Sequence, residues 1–101
     1  MGKSIMQTDR CCYFCGRLTG LERHHVMAGP NRKLSETYGL WIWCCHEHHT
    51  GRNGVQYDKE LNMKAKQDAQ MAFQKYYGRS QWMRLFRKNY LGDWGTENES
   101  V

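Results

Sequence analysis

The residues able to do chemistry crowd into the first half of this 101-residue chain: all five cysteines and all five histidines fall between Cys11 and His49. Cys12-x-x-Cys15 puts two thiols on one tight turn closed by Gly16, and Cys45-x-x-His48 supplies a second chelating pair. Two such pairs make four soft-to-borderline ligands, the set a closed tetrahedral zinc site requires. Cys11 and Cys44 stand beside ligands, and either replaces its neighbour if the register slips by one; Cys44 otherwise belongs to a strand and to the core. His49 is the alternative to His48 as fourth ligand. If His48 faces the zinc, a helix turns its neighbour His49 about 100° away. A histidine with no role at the zinc, aimed towards the doublet His24-His25, suggests a second metal. His46 reads as a solvated residue at a helix start.

These groups need a hairpin and short helices to position them. Residues 21–27 read as a first strand, broken by Ala28-Gly-Pro-Asn31, and residues 32–38 hold about one helical turn with Ser35 near its start. Residues 40–44, Leu-Trp-Ile-Trp-Cys, are β-formers that pair back on the first strand. The alternation puts Trp41 and Trp43 on one side of the hairpin, as core more readily than as a base-stacking platform. Residues 46–50 open a short helix that Gly51 stops. Residues 58–77 give the clearest helix, with Asp58 as N-cap, an apolar stripe of Leu61, Ala65, Ala69, Ala72, Phe73 and Tyr76, and Gly78 as terminator. Ser80 caps a last helix whose buried face is Trp82, Leu85 and Phe86. Its basic stretch, Arg79, Arg84, Arg87 and Lys88, is either a phosphate-binding face or a solvated one.

Composition narrows the class. The length allows one domain, and a core this small gains from a metal staple. The longest uncharged apolar run, residues 39–45, is too short for a membrane span, and residues 1–10 lack the apolar stretch of a signal peptide. The expected compartment is a reducing cytoplasm, where an odd number of cysteines reads as metal ligands and buried thiols rather than disulfides. The net charge of +5 and a pI near 9.1 favour an anionic partner.

Together, Cys12-x-x-Cys15, Leu21-Glu-Arg-His24-His25-Val26 and Cys45-x-x-His48-His49 resemble the zinc-bearing HNH, or ββα-metal, endonucleases. The likeness extends to small phage and prophage HNH proteins through the Asn31-Arg-Lys-Leu-Ser-Glu-x-Tyr-Gly39 segment, the Glu47-His-His-Thr-Gly51 stretch and Asn89-Tyr-Leu91, and it covers about residues 10–91. It implies that His25 is the general base for the attacking water and that His24 and His49 ligate a catalytic divalent ion (magnesium, manganese, nickel or zinc) beside the structural zinc. It further implies a product with a 5′-phosphate and a 3′-hydroxyl. Two departures stand out. Where the family carries its middle asparagine, just before the second strand, this chain reads Tyr38-Gly39-Leu40. Where close relatives often have a histidine two residues after the glycine of the Asn53-Gly54-Val55-Gln56 stretch, it has Gln56. The third protein ligand is left open between Gln56 and Asn53.

The expected fold is small α+β: a zinc-stapled ββα-metal unit with two supporting C-terminal helices. Residues 1–9 form a flexible N-terminus, residues 10–91 the single domain and residues 92–101 an acidic flexible tail. The expected function is metal-dependent hydrolysis of DNA in a bacterial host cell, by a monomer that does not engage membranes. Arg23, Arg32, Lys33 and Arg52 are the expected DNA contacts. Sequence preference should be low, since nothing resembles a base-reading helix. The competing class is a non-catalytic zinc-ribbon DNA-binding or adaptor module, which needs the four zinc ligands but none of His24, His25 or His49.

Overall fold

A computed structural model describes residues 3–92. The expected tail thus lies outside the described residues from position 93 onward, as do residues 1 and 2.

Two strands form an antiparallel sheet: β1, Leu21–His25, and β2, Trp41–Cys45, in the register Leu21↔Cys45, Arg23↔Trp43, His25↔Trp41. Between them run a 3-10 turn at Gly29–Asn31 and helix α1, Arg32–Tyr38. Helix α2, His46–His49, follows β2 without a linker; α3, Lys59–Tyr77, and α4, Arg79–Phe86, come after it. The molecule is therefore small α+β, with a ββα element made of β1, β2 and α2.

Each strand departs by a residue or two from its sequence expectation, for a local reason. β1 stops at His25 because the Ser35 hydroxyl takes over the backbone of Met27, accepting from its N–H and donating to its C=O, both at 2.9 Å. Ser35 is wholly buried, so these bonds hold α1 against the end of β1. A single ladder-like bond, Val26 N–H to Leu40 C=O at 3.0 Å, continues beyond the strand. β2 is shifted by one residue, because Gly39 closes α1 in the left-handed conformation (φ 72°) and Leu40 is used in leaving the turn. Only glycine fits at 39 on a second count: an added Cβ would sit 2.2 Å from the Lys3 carbonyl oxygen.

Side-chain alternation divides the sheet. Ile42 and Cys44 face the core, joined by Val26, Leu40, Val55, Ala65, Ala69, Phe73, Trp82 and Phe86. Trp41 and Trp43 share the opposite face, as alternation requires, with ring centroids 5.3 Å apart. They lie outside the main core. The Arg23 guanidinium sits 3.9 Å from the Trp41 ring centroid, and the N-terminal segment lies alongside. Ser4 Oγ donates to the Trp41 carbonyl (2.6 Å) and Trp43 N–H donates to Gln7 Oε1 (2.9 Å). Residues 3–9, expected to be loose, thus carry specific hydrogen bonds to β2.

Asp58 caps α3 as its sequence suggests, accepting from the N–H groups of Glu60 and Leu61. Two expectations for the C-terminal helices are corrected. Tyr76 is exposed, and Gln70 takes the buried place, satisfied by Gln74 Oε1, Asn89 Oδ1 and the N–H of Tyr90. A buried amide with every bond made costs little, but it breaks an apolar stripe read from sequence. Ser80 does not cap α4: the helix starts at Arg79 behind Gly78, whose φ of 87° makes the corner, and no side chain caps it. Trp82 and Phe86 are buried, whereas Arg84, Arg87 and Lys88 are exposed.

Candidate metal centre and adjoining histidine cavity

The cysteine turn is held by its own backbone. Gly16 N–H donates to Cys12 C=O and Cys12 N–H to Arg17 C=O, both at 2.8 Å, while Tyr13 N–H donates to the Trp43 carbonyl of β2 at 2.7 Å. The Tyr13 hydroxyl reaches Asp68 Oδ2 on α3 at 2.6 Å, which fastens the turn to the helical layer. Burial and the neighbouring Asp68 carboxylate both push the phenol above its ordinary value. On the other side, Cys45 ends β2 and His48 lies three residues on in α2, so strand end and first helical turn present both groups to one point.

Cys12, Cys15, Cys45 and His48 bring their ligand atoms within 4.8 Å of one another. Whether a zinc ion fits can be judged from the individual edges. Tetrahedral zinc, with bonds of about 2.3 Å to sulfur and about 2.0–2.1 Å to nitrogen, separates two sulfurs by about 3.8 Å and a sulfur from a nitrogen by about 3.6 Å. Cys15 Sγ and Cys45 Sγ are 3.8 Å apart; His48 Nδ1 is 3.8 Å from Cys12 Sγ and 3.3 Å from Cys45 Sγ. The residues fit. Burial opposes ionisation of Cys12, but backbone hydrogen bonds from Cys45, Cys15 and Phe14 outweigh it and bring the thiol down to about 6. The thiolate, the ligating form, is thus favoured at neutral pH. Cys44 is fully buried in the core, and burial pushes its thiol up to about 12. Cys11, half-buried, is engaged by Gln7. Neither belongs to the cluster, and no two of the five cysteines are bonded to each other.

His49 turns away from the cluster, as the helical step from His48 demands. Its Nδ1 pairs with Glu22 Oε1 at 2.7 Å, which directs Nε2 towards His24 and Gln56. The His24 and His49 rings stand 5.2 Å apart, edge to face. His24 shares the core-side face of β1 with Glu22 and is 6% exposed; among the described residues its Nε2 is the one buried side-chain nitrogen or oxygen without a hydrogen-bond partner. Burial, with the charges of His49, His25 and Lys66 adding to it, lowers its pKa to about 4. The ring is therefore neutral at pH 7, with a lone pair to offer. The Gln56 amide approaches His49 Nε2 at 3.5 Å. It is brought there by a loop that folds back on α2, with Val55 N–H donating to His48 C=O (2.7 Å). That approach needs Gly54, where a Cβ would stand 2.6 Å from the His49 carbonyl oxygen.

His24, His25, His49, Gln56, Arg23 and Arg32 all line one cavity of about 320 Å3 at the end of the hairpin. His25 also borders a second, shallower groove of about 600 Å3 with Arg32, Lys33 and Glu36. Two residues expected near this chemistry lie elsewhere. Asn53 donates to Glu47 Oε1 (3.2 Å), and Arg52 is exposed on the loop and lines neither cavity. His46 is solvated as expected, its side chain 74% exposed beside Glu22.

Two carboxylates were missed by the sequence reading. Glu22 was within reach of it, since strand alternation puts residues 22 and 24 on one face. Glu36 was not: it arrives from α1 to meet His25 Nε2, and nothing in residue spacing signals that.

No protein-family model, curated protein sequence or solved structure matches the chain. The class rests on its own geometry: a small α+β protein with a ββα element and a Cys3His cluster suited to a structural metal ion such as zinc. No described helix is long and apolar enough to cross a membrane.

Proposed function

We propose that the chain is a zinc-stapled, HNH-type endonuclease that hydrolyses DNA phosphodiester bonds with the aid of a divalent metal ion. The observation that carries this reading is the buried, unpartnered Nε2 of His24, facing His49 in a cavity that also holds His25 and two arginines. A buried imidazole nitrogen left unbonded costs on the order of 1–3 kcal/mol, which a bound cation would recover. The non-catalytic zinc module accounts for the Cys3His cluster but gives no reason for this nitrogen.

In this reading His24 Nε2 and His49 Nε2 would hold the ion; Gln56, whose amide nitrogen approaches His49 Nε2 at 3.5 Å, would turn its amide oxygen inward to serve as a weak third ligand. A divalent ion there would supply positive charge against the negative charge that develops during phosphodiester cleavage. The rest is done by the chain's own side chains. Glu36 occupies Nε2 of His25, so Nδ1 is the atom that takes a proton from the attacking water. The water oxygen bonds to phosphorus as the bond from phosphorus to the 3′ oxygen breaks; the 3′ oxyanion takes a proton from solvent, leaving a 5′-phosphate and a 3′-hydroxyl. Arg32 and Lys33, exposed at the mouth of the groove, contact flanking phosphates without reading bases, so binding is non-specific and salt-sensitive.

The test is plasmid nicking by zinc-loaded protein with magnesium, manganese, nickel or no added ion, beside His24→Ala and His25→Ala. Ion-dependent nicking lost in both variants is expected. Wild-type protein that nicks under none of these conditions, yet binds DNA, would leave the non-catalytic module as the better account.

A further inference from the structure

We infer that Glu36, reaching over from helix α1, is the positioning residue for His25; the inference rests on the reading of His25 as base. The Glu36 Oε2 atom meets His25 Nε2, and Oε1 accepts from Arg23 Nη1 at 3.0 Å. The Arg23 guanidinium in turn lies on the Trp41 ring. His25 and Trp41 are directly paired across the hairpin, so the chain of contacts from Trp41 through Arg23 and Glu36 returns to the histidine and closes on itself.

Three features distinguish this from an incidental surface ion pair. Both carboxylate oxygens are engaged, which fixes the rotation of the group as well as its place. The helix that carries Glu36 is anchored one residue away, where fully buried Ser35 makes two 2.9 Å bonds to Met27 at the end of β1. And partly exposed ion pairs add little stability, a median of about 0–1 kcal/mol. Stability therefore gives little reason to place three ionisable side chains at one edge of the groove. Tautomer control does give one. A carboxylate accepts and cannot donate, so the neutral ring of His25 facing it carries its proton on Nε2 and presents the Nδ1 lone pair. A base in the other tautomer has no lone pair where it is needed, and an unheld ring samples both.

Zinc-loaded wild type, Glu36→Ala, Glu36→Gln and His25→Ala are compared in two measurements. Long-range proton–nitrogen NMR spectra read the tautomer of His25, and manganese-supported plasmid nicking gives kcat and KM. Wild-type His25 should be protonated on Nε2. Glu36→Ala should lose that preference and drop in kcat by about 10- to 100-fold, the usual effect of a hydrogen-bonded supporting group, with KM and nickel affinity unchanged. Glu36→Gln keeps an acceptor oxygen and should recover part of both signals. A wild-type proton on Nδ1, or a kcat loss in Glu36→Ala with no change of tautomer, overturns the inference. Full activity in Glu36→Ala beside an inactive His25→Ala also overturns it and leaves the nuclease reading standing. Full activity in His25→Ala overturns both.

Discussion

Helix α2 carries two histidines on successive residues, and the two environments they enter are built differently. His48 joins three cysteines in a cluster whose ligand atoms lie within 4.8 Å of one another, anchored by backbone bonds to β2 and by Tyr13 to α3. His49 faces one other imidazole and an amide, in a cavity large enough for several waters or a phosphate. Closed four-ligand sites hold structure together; sites with protein ligands missing leave positions for reactants. Successive residues thus enter a compact Cys3His cluster suited to a structural ion and an open cavity, whose use as a catalytic site is the proposal made above. The difference comes from ligand number and second partners, since both sites use the same short helix.

Zinc removal should produce the largest effect. A structural zinc contributes on the order of 10 kcal/mol or more in isolated fingers, as much as the whole stability of a small domain. Cys12→Ser, or treatment with a strong chelator, should abolish the cooperative fold, read as lost helicity by circular dichroism with loss of one zinc per chain. A Cys12→Ser protein that stays folded and zinc-loaded would erase the distinction drawn between the two sites.

His25→Ala comes next: cleavage should fall by about 10²- to 10⁴-fold, the usual contribution of a general base, while DNA binding and nickel binding persist. Equal turnover by variant and wild type would remove the catalytic role.

The successive histidines allow a sharper cut. His49→Ala should weaken nickel binding by at least the roughly 10- to 100-fold that supporting partners contribute, and leave the zinc content at one per chain. His48→Ala should do the reverse and lose zinc. Calorimetry with nickel and elemental analysis for zinc read the two separately; loss of zinc from His49→Ala would show that the sites are not independent.

The smallest effects concern the third ligand. Gln56→His adds an imidazole beside His49 and should tighten nickel by about tenfold, the low end of that range. Asn53→Ala, whose amide is turned to Glu47, should change nickel affinity little. Tighter binding in neither Gln56→His nor Asn53→His would mean that the loop from 50 to 58 does not serve the cavity.

What the sequence determined here is local. A Cys-x-x-Cys turn and a strand end three residues ahead of a helical histidine are short-range geometry, so Cys12, Cys15, Cys45 and His48 could be assigned from spacing. The same holds for Asp58 as helix cap and for the opposite directions of His48 and His49. Strand alternation likewise fixed Trp41 and Trp43 to one face, though not which face would be the core. The tertiary structure decided everything that depends on distant segments meeting. Glu36 reaches His25 only because Ser35 docks α1 on the end of β1. Gln56, rather than Asn53, faces the cavity because Gly54 lets the loop close on α2. Gln70 is buried because the turn after α4 returns to satisfy it. Residue spacing encodes direction along one element; it carries no record of which element will be packed opposite, and that choice completes a polar site.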